Sequence, residues 1–177
     1  MVLTTSVVAT VVSITASFCS DILKHRYGFI CLGFTVSMIG YALLLNSKHV
    51  SVAVRYFALF LVTSGGYITQ PTTLIWINNN MGGHYKRSVS SAMMVGLGNA
   101  GGIVASNVFI TSQAPLYPTG YGTSLGLFAM TVIVSTVLVL GMRAENHKRD
   151  RGERDHRLAE PDADNLGDDH PSFRFTY

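Results

Sequence analysis

Five stretches of this chain are long, apolar and free of Asp, Glu and Lys, and they limit its possible folds more than any other feature. They cover 2–18, 27–45, 54–77, 89–110 and 121–142, and their one cation is Arg55, at the edge of the third. A bilayer core about 30 Å thick asks for about 20 apolar residues per helical span. Backbone groups in lipid must be paired within the segment, so each run is expected to be a helix. A barrel would show alternating segments of about ten residues, and these runs are continuous. The expected fold is an all-α membrane protein of about five transmembrane helices. The first run lacks the positive start of a secretory signal and is broken by Thr and Ser, so it reads as a weakly apolar membrane helix.

Charge supplies a direction. Residues 1–142 hold seven Asp, Glu, Lys or Arg side chains, and residues 143–177 hold sixteen. Lys24, Arg26, Lys86, Arg87 and seven bases of the tail fall on one face, eleven in all; only Lys48 and Arg55 fall on the other. The positive-inside rule then places the tail and the two basic loops in the cytoplasm. An odd number of spans puts Met1 on the opposite side, as expected if further helices precede it. The bases sit beside apolar runs with no interleaved aromatic face, so nucleic acid is not an expected partner; the lipid bilayer is. Cys19 and Cys31 have no metal-ligand spacing and read as small apolar side chains. Neither a metal nor a cofactor is expected. Nor is an enzyme, because no triad, carboxylate pair or phosphate loop is present.

The spans define one unit, 1–142, and the tail, 143–177, another. Residues 143–157 mix six basic and four acidic side chains, the composition of a short solvated helix at the membrane surface. From Leu158 on there are five acids, one arginine and two prolines, too little apolar surface to fold alone, and disorder is expected.

Polar residues inside spans are expensive unless they face protein or a watery cavity. Tyr67, Gln70, Asn99 and Asn107 are therefore candidates for a substrate pathway. Gln70 precedes Pro71, which removes a helical hydrogen bond and frees a carbonyl, and Gly65-Gly66 lies just before. Gly- and Pro-interrupted polar helices point to transporter binding regions. Hydrogen bonding between helices explains the same residues equally well. Trp76, Asn78 and Asn79 close the third span and Lys86 and Arg87 follow it, a placement that suits gating or capping. Asp21, with Lys24 and Arg26, suits a charge latch in which Asp21 accepts hydrogen bonds at a helix start. In the fourth span Gly96, Gly98, Gly101 and Gly102 form a small-residue groove that lets another helix approach closely. Static packing and a helix that slides or bends are both consistent with it.

Several of these stretches, in order, carry a resemblance. Trp76-Ile77-Asn78-Asn79-Asn80, followed by Gly82-Gly83 and Lys86-Arg87, is similar to the W-x-x-N-N pattern and loop of the fungal allantoate permease-like anion:cation symporters of the major facilitator superfamily. Gly96 to Ile103 resembles that family's next helix, and Ala114-Pro115-Leu116-Tyr117-Pro118-Thr119-Gly120 its turn before the last helix. Ser20-Asp21 through Arg26 looks like a reduced copy of the superfamily's loop motif, and Asp162 to Asn165 with Phe173-Arg174-Phe175 resembles the family's acidic tail.

The resemblance implies that the five spans correspond to helices 8–12 of a twelve-helix carrier of the plasma membrane. It further implies a proton-coupled symporter of small organic anions such as allantoate, nicotinate or vitamin-like carboxylates. The N-terminal bundle that transport needs lies outside these residues, and the chain alone is expected to be inactive. A second expectation from the residues is a small, non-transporting membrane protein that assembles with a partner through its Gly-rich fourth span.

Overall fold

The computed structural model describes residues 2–23, 25–46, 50–114, 116–159 and 165–177, with side chains from Val7 onward. Five helices follow one another: α1 (Val2–Leu23), α2 (Arg26–Leu45), α3 (Val52–Asn79), α4 (His84–Val108) and α5 (Pro118–Asp150). Among the described residues there is no strand. Helices α2 to α5 are long and apolar enough to cross a membrane, and the part of α1 from Val7 to Leu23 is a shorter apolar helix. Lys24, Lys48, Pro115 and the acidic stretch 160–164, all used in the charge and motif arguments, lie outside the described residues.

Helix α3 is central, packed against α2 along its length and against α1 on another side. The α2–α3 seam is built on small residues. A Cβ added at Gly33 would lie 2.6 Å from Thr69 Cγ2 and 3.0 Å from the Gly65 carbonyl. One added at Gly40 would lie 2.7 Å from Val62 Cγ2. Gly65 faces Ser37 and Gly33 so closely that no Cβ fits there at all. Ser37 is buried in this seam and donates to the Val62 carbonyl at 3.3 Å. In lipid, where apolar surface gains nothing from leaving water, such close backbone contact is the main source of attraction.

Helix α5 is joined to α2 by rings and by one polar contact. Phe34 and Tyr41 stack on Phe128 with centroids 5.4 and 5.5 Å apart, and the Tyr27 and Thr136 hydroxyls are 2.8 Å apart. At the other end Phe109 packs on Tyr117 and Tyr121, and its ring lies over Gly120, where a Cβ would sit 2.5 Å from Cδ1. Tyr117 adopts left-handed backbone (φ 37°) just before Pro118 opens α5, which turns the chain sharply under that ring.

Two expectations about the tail need correcting. Helix α5 does not stop near Met142 to hand over to a separate surface helix; it continues unbroken to Asp150. Its 33 residues reach about 50 Å at 1.5 Å each, so several turns project beyond a bilayer core. Nor are residues 165–177 disordered. They return to the helix ends, and Tyr177 packs against a core of Ile30, Trp76 and Val139. The tail has too little apolar surface to fold by itself. It is ordered instead by polar partners that α3 and α5 hold out to it.

Candidate functional site

Pro71 has no N–H, so the Tyr67 carbonyl four residues earlier has no helical donor. Ser13 of α1 supplies one: its hydroxyl donates to that oxygen at 2.8 Å. The freed carbonyl thus becomes a joint between α1 and α3. Beside it opens a cleft of about 510 Å³, lined by Ser13, Tyr67, Gln70, Pro71, Leu74, Met94, Val95, Gly98 and Asn99. Three of the four substrate-pathway candidates, Tyr67, Gln70 and Asn99, meet there. All three are exposed, so their polar groups are available to a ligand. Asn107 is not among them; its amide donates to Ile103 of its own helix at 2.8 Å.

The glycines of α4 divide. Gly98 lines this cleft, and Gly101 lines a smaller one of about 240 Å³ between α4 and α5. Gly96 and Gly102 lie in neither, and a Cβ at any of the four would meet nothing within 4 Å. Helix α4 has no buried residue. The close approaches sit at Gly33, Gly40 and Gly65 instead. Their sequence signal was the heptad spacing of Gly33 and Gly40.

The loop candidates gather at the tail side of the helices. Asn78 Oδ1 accepts the Ser91 hydroxyl at 2.7 Å, which links α3 to α4, and Asn79 is exposed at the end of α3. Trp76, only 5% exposed, donates its indole N–H to the Thr176 carbonyl at 2.8 Å. Lys86 Nζ lies 2.7 Å from Asp168 Oδ1, and Arg87 donates weakly to the Met81 carbonyl at 3.4 Å. Asp21 is corrected in one respect: it lies in the last turn of α1, not at a helix start. A carboxylate there opposes the helix dipole, and Arg26 of α2 compensates at 3.0 Å.

Arg154 grips Glu145 bidentately, Nε to Oε1 at 2.8 Å and Nη2 to Oε2 at 2.7 Å, and Arg149 Nε approaches the same carboxylate at 3.3 Å. The Arg154 hydrogen bonds outweigh the effect of burial and hold the Glu145 carboxyl down at about 2. Burial pushes Asp168 upward, but the Lys86 hydrogen bond and the backbone amides of Asp168 and Gly82 outweigh it and leave this group below its ordinary value. Among the described residues no group of three or more His, Cys, Asp or Glu could hold a metal ion.

Comparison with known proteins decides the family. The chain is 33% identical over 94% of its length to an MFS-type transporter of Penicillium expansum, and 34% identical over 88% to an uncharacterized transporter of Schizosaccharomyces pombe. It is 28% identical over 89% of its length to the high-affinity nicotinic acid transporter of Saccharomyces cerevisiae. The chain belongs to the fungal major facilitator transporters. It spans about a third of the length of these relatives, 34%, 30% and 30% respectively. No protein-family model matches it, and no solved structure matches it significantly.

Within this chain, four residues important to the geometry carried no sequence signal of their own. Ser13 is one of several hydroxyls in α1, and only the fold brings it to the Tyr67 carbonyl. Asn146 and Arg149 read as solvated tail positions, and Tyr177 as a terminal residue. Ser13, Asn146 and Tyr177 acquire their roles from segments more than 25 residues away, and Arg149 from carbonyls of residues 168–173.

Proposed function

We propose that the five helices form the C-terminal part of a proton-coupled symporter of small organic anions, with its tail in the cytoplasm. In this reading they occupy the places of helices 8–12 of a plasma-membrane carrier from the allantoate permease-like branch. The observation that carries the reading is the cleft at the Pro71 break, where Tyr67, Gln70 and Asn99 converge between α1, α3 and α4. The similarity to a nicotinic acid transporter supports a nicotinate- or allantoate-like carboxylate as substrate. The lining of the cleft is neutral, so Gln70, Asn99 and Tyr67 would hydrogen-bond the polar or heteroaromatic part of the ligand. The carboxylate's counter-charge and the coupled proton belong to helices contributed from elsewhere in the carrier, and the chain alone does not transport.

A chimera tests this: residues 1–177 replace the matching C-terminal part of the yeast nicotinic acid transporter, and labelled nicotinate uptake is followed with and without a pH gradient. Gradient-dependent uptake that Gln70→Ala and Asn99→Ala each reduce about fivefold is expected, the size of a lost neutral hydrogen bond of about 1 kcal/mol. Uptake indifferent to both substitutions would overturn the assignment of the cleft.

The exposed face of α4 favours one competing reading, a non-transporting membrane protein that assembles with a partner through that face. Cross-linking from α4 to a second protein, together with an inactive chimera, would favour it.

A further inference from the structure

At the tail side of the bundle, the last residues of the chain lie against α3 and α5. Asn80, at the end of α3, donates Nδ2–H to the Thr176 carbonyl at 3.0 Å and accepts the Thr176 N–H on Oδ1 at 2.8 Å. Asn146, on α5, does the same to Phe175: it donates to the carbonyl at 2.8 Å and accepts the N–H at 2.9 Å. A carboxamide offers the donor and acceptor of a peptide group, so each asparagine pairs with backbone much as a neighbouring strand would. Two consecutive residues are thereby held from opposite sides, Phe175 by α5 and Thr176 by α3.

Arginines do the rest. Arg149, 5% exposed, donates Nη1 to the carbonyls of Asp168 and Phe173 at 3.0 Å and more weakly to that of His170 at 3.4 Å. Its guanidinium also lies 4.7 Å from the Phe175 ring centre, and Arg143 lies 4.7 Å from that of Tyr177. The tail thus both covers Arg149 and supplies three of its hydrogen-bond acceptors.

The groove reaches α4 as well. Gly82 is pressed so tightly on Gly167 and Asp168 that a Cβ would collide with their backbone, and Lys86 pairs with Asp168 one turn further on. Helix α4 buries no residue of its own, so these contacts pin an otherwise lightly held helix at its entrance. Further along, the same helix contributes Met94, Val95, Gly98 and Asn99 to the cleft.

We propose that residues 165–177 are a latch: docked in the groove formed by Asn80, Asn146, Arg149 and Trp76, they clamp the start of α4 to the ends of α3 and α5. Their release frees the helix that forms one wall of the cleft.

Hydrogen exchange on the full chain in lipid nanodiscs tests both parts of the idea. The Phe175 and Thr176 amides should exchange at least about tenfold slower than in a free peptide of the same sequence, as docked amides do. Asn80→Ala combined with Asn146→Ala should bring them to within about twofold of that peptide and should accelerate tryptic cleavage after Lys86 and Arg87 about fivefold or more. Phe175→Pro removes one of the gripped N–H groups from the tail itself, leaves every helix residue intact and should act in the same direction. Free-peptide exchange in the parent chain would overturn the docking. A released tail with unchanged cleavage at Lys86 and Arg87 would overturn the latch.

Discussion

The α2–α3 seam and the open face of α4 are written in the same residues and come to opposite ends. Both carry glycines at helical spacing. In the seam, Gly33, Gly40 and Gly65 have neighbours so close that a Cβ would collide; on α4, Gly96, Gly98, Gly101 and Gly102 meet nothing within 4 Å. A small-residue stripe states that a helix can be approached closely, and says nothing about whether a partner comes. The partner is decided by which helices the connections and the remaining contacts bring alongside.

The largest expected effect lies in the seam. Gly65→Leu should cost about 3 kcal/mol, the upper range for overpacking, because the added side chain must enter space held by Ser37 and Gly33. Thermal unfolding in detergent measures it, and a loss under about 1 kcal/mol would show that α2 and α3 can part without penalty.

Acid should loosen the tail at α4 while the seam stays intact. Glu145 and Asp168 both titrate below their ordinary values in the folded chain. Depressed carboxylates contribute stability above their unfolded pKa values, near 4, and lose it as pH falls toward the folded ones. Of the two, only Asp168 lies in residues 165–177, so the tail's hold on Lys86 should weaken as pH falls below about 4, while Glu145 loosens its arginines on α5 and beyond only toward about 2. Trp76 is the chain's single tryptophan and touches the tail directly, so its emission should shift to the red over that range. An emission that moves only when the helices themselves unfold would rule this out.

The α1–α3 joint is a polar alternative to the glycine seam, and smaller in effect. Ser13→Ala should cost about 1 kcal/mol by leaving the Tyr67 carbonyl unpartnered. In a Pro71→Ala background, where the helix regains an N–H for that oxygen, the same substitution should cost almost nothing. Equal losses in both backgrounds would mean that Ser13 acts in some other way.

The smallest effect belongs to α4. Gly98→Leu should change the stability of this chain by no more than about 0.5 kcal/mol, since its Cβ enters open space. In the chimera the same change should reduce uptake, because the leucine would project into the cleft. Unchanged uptake would remove α4 from the transport path.

Much of the fold is legible in the order of the residues. Uninterrupted apolar runs demand helices wherever lipid withholds hydrogen bonds, and the proline at 71 announces a free carbonyl near Gln70. The partner of that carbonyl is not legible, because Ser13 differs from its neighbouring hydroxyls only by position in space. The convergence of Tyr67, Gln70 and Asn99 follows from polarity, and the separation of Asn107 does not. Asn107 has the same side chain as Asn99 and lies on the same helix, and it differs in the direction it faces.

The tail marks the boundary most clearly. Sequence alone determined where the apolar spans lie and where charge concentrates, because both follow from local composition against the cost of polar groups in lipid; that α5 runs on to Asp150 it did not. Whether residues 165–177 lie ordered or free depended on Asn80, Asn146 and Arg149 standing at the right separation. That separation exists only once α3 and α5 are packed. Hydrogen bonds between distant segments need geometry as well as donors and acceptors, and geometry is what the tertiary structure supplies.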